Sequence, residues 1–299
     1  MREMISLLLP TRGRPALVQR LFRSLAATTS RPDRAEIVLY VDEDDAASHA
    51  LDSSDVRVTR IIGPRISMGA CNSACLRQAQ GDIIILANDD MVIRTSGWDE
   101  KIAAVHASFA DGIYLAYAND LFMSKRRATF PILSRRCCEL LGDPYPSAYR
   151  GAFIDTHLYD LFKRLQHAGF DRIRYLDDVV FEHLHYRTGK ADYDETYRRR
   201  GRFEDDFTFI GMAGARSRDA KRLLAAIRGE PVSAADRTGF VEYNPAGFFS
   251  AIRYFGRCFL FDPELPWSWR SFLFYTHVGR YLAGRGLFGP FVRVGGSSG

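Results

Sequence analysis

The sequence predicts an α/β fold: a mixed, mainly parallel, doubly wound sheet flanked by helices, with a helical, aromatic-rich C-terminal appendage. Two observations predict the core. Strand-like and helix-like segments succeed one another as β-α-β-β-α-β over residues 5–92. Within them Ile83-Ile84-Ile85-Leu86-Ala87 is a continuous apolar run opened by Gly81, the pattern of a strand buried on both faces rather than one. A third observation predicts the appendage: from Tyr243 onward aromatics and arginines interleave.

Taken in order, Ile5 to Leu9 is the first strand, and Pro10-Thr11-Arg12-Gly13-Arg14-Pro15 is expected to break it. Leu17, Val18, Leu21, Phe22 and Leu25 then recur at helical spacing. Glu36 to Val41 is a second strand closed by Asp42, Val56 to Ile62 a third, and Met68 to Ala79 a helix leading to Gly81. The run from Gly81 ends in Asn88-Asp89-Asp90. Thr129 to Arg135 reads as a strand, followed by a short helix through Cys138 and Leu141 to Gly142. Arg150 to Thr156 precedes an amphipathic helix marked by Leu158, Leu161, Phe162 and Leu165, ending at Ala168-Gly169. Ile173 to His185 reads as a strand whose alternation puts His183 and His185 on one side. Asp192 to Tyr197 opens a helix, and Ala220 to Ile227 is another, with Lys221 and Arg222 on its polar face. The expected units are a core over 1–205, halved near 92–93, a helical extension over 206–294, and a flexible tail over 295–299.

At 299 residues, with 46% hydrophobic and 26% charged residues, the chain has the composition of a globular protein with a sizeable core. A net charge of +5, from 41 basic and 36 acidic residues, suits a phosphate-bearing ligand or an anionic surface without deciding between them. Arg198-Arg199-Arg200 is followed at once by Glu204, Asp205 and Asp206, which reads as a solvated helix face, so no nucleic-acid partner is expected. Cys71, Cys75, Cys137, Cys138 and Cys258 form no C-x-x-C pair, which suits reduced thiols and a cytoplasmic protein. Cys137 and Cys138 read as packing residues rather than nucleophiles. No apolar segment reaches the length of about 18 residues that marks a membrane span. There is neither a G-x-G-x-x-G nor a G-x-x-x-x-G-K-[ST] motif, which disfavours dinucleotide redox and P-loop chemistry.

Three strand ends carry polar groups: Thr11-Arg12-Arg14, Asp42 and Asn88-Asp89-Asp90. Parallel strands would bring them to one crevice beyond their carboxyl ends, where open α/β sheets bind ligands. Adjacent carboxylates there supply hard oxygen ligands for Mg²⁺ or Mn²⁺ shared with substrate phosphates. The bland alternatives are a polar strand-to-loop junction at Asn88-Asp89-Asp90, an ordinary helix start at Arg14-Pro15, and a helix-capping role for Asp155.

Pro10-Thr11-Arg12-Gly13-Arg14, the Asp after strand two, Met68-Gly69-Ala70-Cys71-Asn72 opening a helix and Gly81-Asp82 leading to Asn88-Asp89-Asp90 together resemble GT-A-fold, Rossmann-like glycosyltransferases close to family 2. The resemblance covers roughly residues 4–200. It implies transfer of a sugar from a nucleotide-sugar donor, UDP-sugars first, to a glycan or lipid-linked acceptor, with Mn²⁺ or Mg²⁺. It implies donor contacts from Pro10, Thr11, Arg12, Arg14, Asp42, Asn72, Asn88, Asp89 and Lys190. It makes Asn88-Asp89-Asp90 the counterpart of the metal-binding D-x-D, with an amide at the first position and Asp90 as the leading ligand. Asp89 and one or other of His183 and His185 would help. Asp155 matches the position of the general base, with Asp160 in reserve. The aromatic and basic C-terminal region suits peripheral contact with the inner face of a membrane, or packing on the core or on a second subunit. Two alternatives stand beside transfer: a sugar-nucleotide nucleotidyltransferase, which the first loop does not suit, and a degenerate binding scaffold, which Asn88 favours.

Overall fold

The computed structural model describes residues 3–191, 201, 203–232, 234, 240–243 and 245–287. Among them eight strands form one sheet in the order β3-β2-β1-β4-β7-β6-β8-β5. The first half is parallel: β1 (Ile5–Thr11) lies between β2 (Ala35–Asp42) and β4 (Ile83–Leu86), and β3 (Arg57–Gly63) flanks β2. β7 (Ile132–Ser134) then runs antiparallel to both β4 and β6 (Leu115–Asn119). β8 (Ile173–His183) runs parallel to β6, with a register shift between Ala118 and Asn119, and β5 (Met91–Ile93) pairs antiparallel with β8. The sheet is therefore mixed, with a parallel first half, as the sequence predicts.

Alternation along the central strands builds two cores, one on each face. Ile5, Leu7, Leu9, Ile83 and Ile85 meet Val18, Leu21, Phe22 and Leu25 of helix α1 (Pro15–Thr28). Leu8, Ile84 and Leu86 turn to the other face, where Cys71 and Cys75 of α2 (Met68–Gln78) pack. Burial on both faces is why these strands read as unbroken apolar runs. Pro10 does not end β1. It sits buried in the strand opposite Tyr40, and the chain leaves the sheet only after Thr11. On the other side of the sheet, Ala87 hydrogen-bonds the carbonyl of Leu8, and a turn closed by Met91 N–H on Asn88 O at 3.1 Å redirects the chain into β5. The acid corner is thus a hairpin-like break between a central strand and an edge strand.

The remaining helices are α3 (Trp98–Ala107), α4 (Arg135–Leu141), α5 (Ile154–His167), α6 (Asp205–Gly211), α7 (Ala213–Arg228), α8 (Phe248–Phe255), which continues into a π-helical turn over Gly256–Leu260, and α9 (Trp267–Ala283). None of the described helices is long and apolar enough to cross a membrane. Phe209, Leu223, Phe255, Phe259, Trp269 and Leu273 from α6–α9 join Leu158, Leu161, Phe162 and Leu165 of α5 in one continuous core. Two charged segments are buried where the sequence suggests solvated faces. Asp205 and Asp206 are both buried, and Arg222 donates to Asp219 rather than lying on a polar face. The reason is pairing: each of these charges finds a partner inside. The segments Asp192–Tyr197 and Arg198–Arg200, and the tail 295–299, lie outside the described residues.

Asp160, the reserve candidate for the base, is also a structural residue. It is fully buried, with Oδ2 accepting from Arg164 Nε at 3.1 Å and Arg216 Nε at 2.8 Å, and Oδ1 accepting from Trp269 Nε1 at 2.8 Å. Burial opposes its ionisation, but Arg164 and Arg216 outweigh it and hold the carboxyl below its ordinary range. One carboxylate so ties α5 to α7 and α9. Removing a partner from a buried ion cluster leaves uncompensated charge. Asp160→Asn is therefore expected to lower unfolding free energy by about 3–5 kcal/mol, measured as a fall in the urea midpoint; a midpoint within error of wild type would show that the network is not a stabilising tie.

Candidate functional site

The carboxyl ends of β1, β2 and β4 carry the predicted groups, and the structure brings them together by direct contact. Thr11 Oγ1 donates to Asp89 Oδ2 at 2.9 Å, and Arg14 Nη1 donates to Asp89 Oδ1 at 3.0 Å. Arg12 pairs through Nε with Asp42. Gly13 adopts φ +64°, a left-handed conformation that glycine reaches without a Cβ penalty, and its N–H meets Asp45 Oδ2 at 2.7 Å. The first loop is thus fastened to both neighbouring strand ends. Burial pushes up the thiol of Cys71 in the first turn of α2; the charge of Asp42 adds to this and that of Arg12 opposes it. Asn72 follows, buried, with no hydrogen-bond partner for its Oδ1.

The two aspartates of the corner face different ways. Asp89 has both oxygens committed to the first loop. Burial pushes its carboxyl up to about 6; Arg14 pulls it down and Asp90 pushes it up again. Asp90 instead faces β8, where its Oδ2 lies 3.2 Å from His183 Nε2. Backbone bonds hold the same join: Leu184 N–H to Asp90 O at 2.9 Å and His183 N–H to Asp120 O at 3.0 Å. Burial disfavours the His183 cation, yet the hydrogen bond and charge of Asp90, with the charges of Asp120 and Asp155, outweigh burial and hold the imidazole above its ordinary value. Asp90 is the carboxylate in direct contact with the ring.

Asp155 lies in the first turn of α5 rather than at its N-cap. The cap is Phe153, which has φ +66°, an uncommon conformation for a bulky residue. The carboxylate of Asp155 accepts from its neighbour Thr156, N–H at 2.7 Å and Oγ1 at 3.2 Å. It remains partly exposed.

Lys190 is turned from the corner by its partner, and His185 stands beside His183, ring centroids 5.0 Å apart, without being placed there by the strand. β8 ends at His183, so strand alternation does not carry on to His185. That residue caps a 3-10 turn (Tyr186–Thr188), accepts Arg187 N–H on Nδ1 at 3.2 Å and stacks on Phe122. Lys190 pairs with Glu182 Oε1 at 2.6 Å, and Glu182 also binds Arg94 at 2.7 Å. Glu182 precedes His183 in β8 and so leaves the strand on the opposite face. Burial pushes up the thiols of Cys137 and Cys138, the latter to about 12, and all five cysteines are free.

Among the described residues no three His, Cys, Asp or Glu side chains stand together as a metal-ligand set. Asp90 and His183 offer one carboxylate oxygen and one imidazole nitrogen. This donor pair suits Mn²⁺ or Mg²⁺ only if a bound diphosphate completes the shell, the usual way such ions are held at phosphate sites.

No family profile and no curated protein sequence matches this chain. Solved structures do. The 1–349 fragment of S. aureus TarS in complex with UDP-GlcNAc has a TM-score of 0.50 at 12% identity, covering 96% of this chain and 92% of that one. The chain has a GT-A glycosyltransferase fold. S. aureus TarS itself matches with a TM-score of 0.49 and 14% identity over 94% of this chain and 54% of that chain, so the present chain spans about half its length. The mannosyltransferase PcManGT from Pyrobaculum calidifontis, in complex with GDP-Man and Mn²⁺, matches with a TM-score of 0.45 and 15% identity over 98% and 80% of the two chains.

Sequence reasoning passes over two residues that shape this GT-A site. Asp120 follows β6 as Asp89 follows β4, in a second Asn-Asp pair, and that repetition is the signal that could have found it. Its Oδ1 gathers the N–H groups of Phe122, Met123 and Ser124 at 3.1, 2.7 and 2.6 Å, and its Oδ2 accepts Thr129 Oγ1 at 2.6 Å. This holds Leu121 and Ser124 at φ +55° and +49° and sets Phe122 beside both histidines. Asp205, distant in sequence, accepts the N–H groups of Arg150, Gly151 and Ala152 at 2.9, 2.8 and 2.5 Å and so fixes the approach to Asp155.

A ¹³C carboxyl titration of Asp89 is expected to show a midpoint near 6. In Arg14→Ala the midpoint should move higher, because the cation that favours the carboxylate is gone. A wild-type midpoint near the ordinary value of about 4 would contradict the buried placement of this group.

Proposed function

We propose that this protein transfers a sugar from a nucleotide-sugar donor to an acceptor hydroxyl, with inversion at the anomeric carbon. The observation that carries the reading is the contact at His183: Asp90 of the acid corner lies 3.2 Å from its Nε2, so one carboxylate and one imidazole stand ready for a cation beside the first loop.

In this reading Thr11, Arg12 and Asp42 receive the nucleoside, with Asn72 and Asn88 at its margin. The contacts of Thr11 and Arg14 with Asp89 keep the first loop rigid, and Arg14 faces the diphosphate. Asp90 and His183 would hold Mn²⁺ or Mg²⁺ against the diphosphate oxygens. When bound, the cation neutralises charge on the leaving group. Asp155 takes the proton of the acceptor hydroxyl as its oxygen forms a bond to the anomeric carbon. The bond from that carbon to the diphosphate breaks, and the nucleoside diphosphate departs with the electron pair. A single displacement by one base inverts the centre. The UDP-GlcNAc bound to the TarS fragment supports a UDP-sugar as the first donor to try. The five free thiols support a reducing, cytoplasmic setting. A glycan or lipid-linked hydroxyl is the acceptor class this reading favours.

Calorimetric titration with UDP is expected to show binding that requires Mn²⁺ and is lost in Asp90→Ala. Nucleotide binding indifferent to the metal would favour a degenerate scaffold instead. Asp155→Asn should lower turnover by about 10²–10⁴-fold while leaving UDP affinity unchanged; undiminished turnover would remove Asp155 from the role of base.

A further inference from the structure

The outer face of the C-terminal helices carries a pattern that the sugar-transfer reading does not use. In α8 and the π-helical turn after it, Ala251, Phe255 and Phe259 are buried at four-residue spacing. Two residues away, on the opposite side of the helix, lie Phe249, Arg253, Arg257 and Phe261 at the same spacing. Both terminal rings are bare, Phe249 at 86% and Phe261 at 77% exposure. In α9 the buried stripe is Trp269, Leu273, His277 and Tyr281, and its outer side shows Trp267 at 66% and Tyr275 at 71% exposure. The buried stripes of both helices lie on α6, through Phe255 and Tyr281 on Phe207 and through Phe259 and His277 on Phe209. Both outer stripes are therefore turned away from the body of the protein.

The charged residues of the outer stripe of α8 are both arginines, with one exposed acid, Glu242, next to Tyr243, which stacks on Tyr254 at the flank of the helix. Arg253 and Arg257 are exposed and have no ion-pair or hydrogen-bond partner among the described residues. The acids of the connecting loop are already engaged. Asp262 binds Arg164 at 2.7 Å, and Glu264 binds Arg164 at 2.9 Å and Lys221 at 2.7 Å. A two-fold contact with a second copy would set this unpaired pair of cations against its own image, since such interfaces match a patch with itself. The centres of protein interfaces are also poor in charge. A negatively charged lipid surface asks for what is present: rings that enter the headgroup boundary, and guanidiniums beside them to meet phosphate.

We infer that Phe249, Arg253, Arg257 and Phe261, with Trp267 and Tyr275, form a docking surface for an anionic membrane. This inference stands apart from the sugar-transfer reading and can fail without it. The test is co-sedimentation of the full chain with vesicles of phosphatidylcholine alone and of phosphatidylcholine mixed with phosphatidylglycerol. Wild type is expected to bind only the anionic vesicles, and less as salt is raised. Arg253→Glu with Arg257→Glu should weaken binding by roughly 25-fold or more, each cation contributing about fivefold at such a surface. Phe249→Ser with Phe261→Ser should weaken it by roughly tenfold or more per ring. All four residues are solvent-exposed, so thermal unfolding of both variants should match wild type. Equal binding to the two vesicle types, or variants that bind as wild type does, would overturn the inference. So would a vesicle-free dimer, seen by analytical ultracentrifugation, that Phe249→Ser with Phe261→Ser dissociates.

Discussion

Besides the ladder between β4 and β7, the corner Asn88-Asp89-Asp90 ties the two halves of this sheet together, and its two carboxylates divide that work. Asp89 looks back to Thr11 and Arg14 at the end of β1; Asp90 looks forward to His183 at the end of β8. Ionic contacts between buried groups are strong in geometry and costly in solvation, so each persists only because both partners are positioned by strands. The raised carboxyl of Asp89 records that cost. A guanidinium and an imidazole are thus both held at this corner before any ligand arrives.

The parallel half of the fold was legible because its strands are buried on both faces, which writes an unbroken apolar run into the sequence. Convergence of Thr11, Arg12, Asp42 and Asp89 followed from topology alone, since parallel strands end on one edge. The misses have a common physical origin. Periodicity reports which side a residue faces, and it stops at the end of an element. His185 stands two residues past the last paired residue of β8, so its place beside His183, ring centroids 5.0 Å apart, comes from the turn that follows and not from alternation. Asp155 and Asp160 both sit in a helix with a carboxylate pattern compatible with a base. Only the distant arginines and tryptophan that surround Asp160 tell the two apart. Local pattern carries no information about Arg216, 56 residues on.

The same limit applies to burial of charge. Asp205, Asp206 and Arg222 read as surface residues because charged side chains usually are. Each is interior here because a partner from another element, Arg280 for Asp206 and the backbone amides of 150–152 for Asp205, takes the place of water. The helical region after residue 205 is therefore bound into the architecture of the site. Its residues Phe209, His277 and Arg280 surround Phe153, whose left-handed backbone stays in place because rings and a guanidinium enclose it.

The grip of Asp205 on three consecutive amides bears on how such chains can be recombined. A splice at the change of composition near residue 205 would graft a foreign helix beneath the turn that presents Asp155. The host would lose the acceptor for those amides and, with Phe209, His277 and Arg280, the enclosure of Phe153. The structural unit that presents Asp155 thus extends past residue 205.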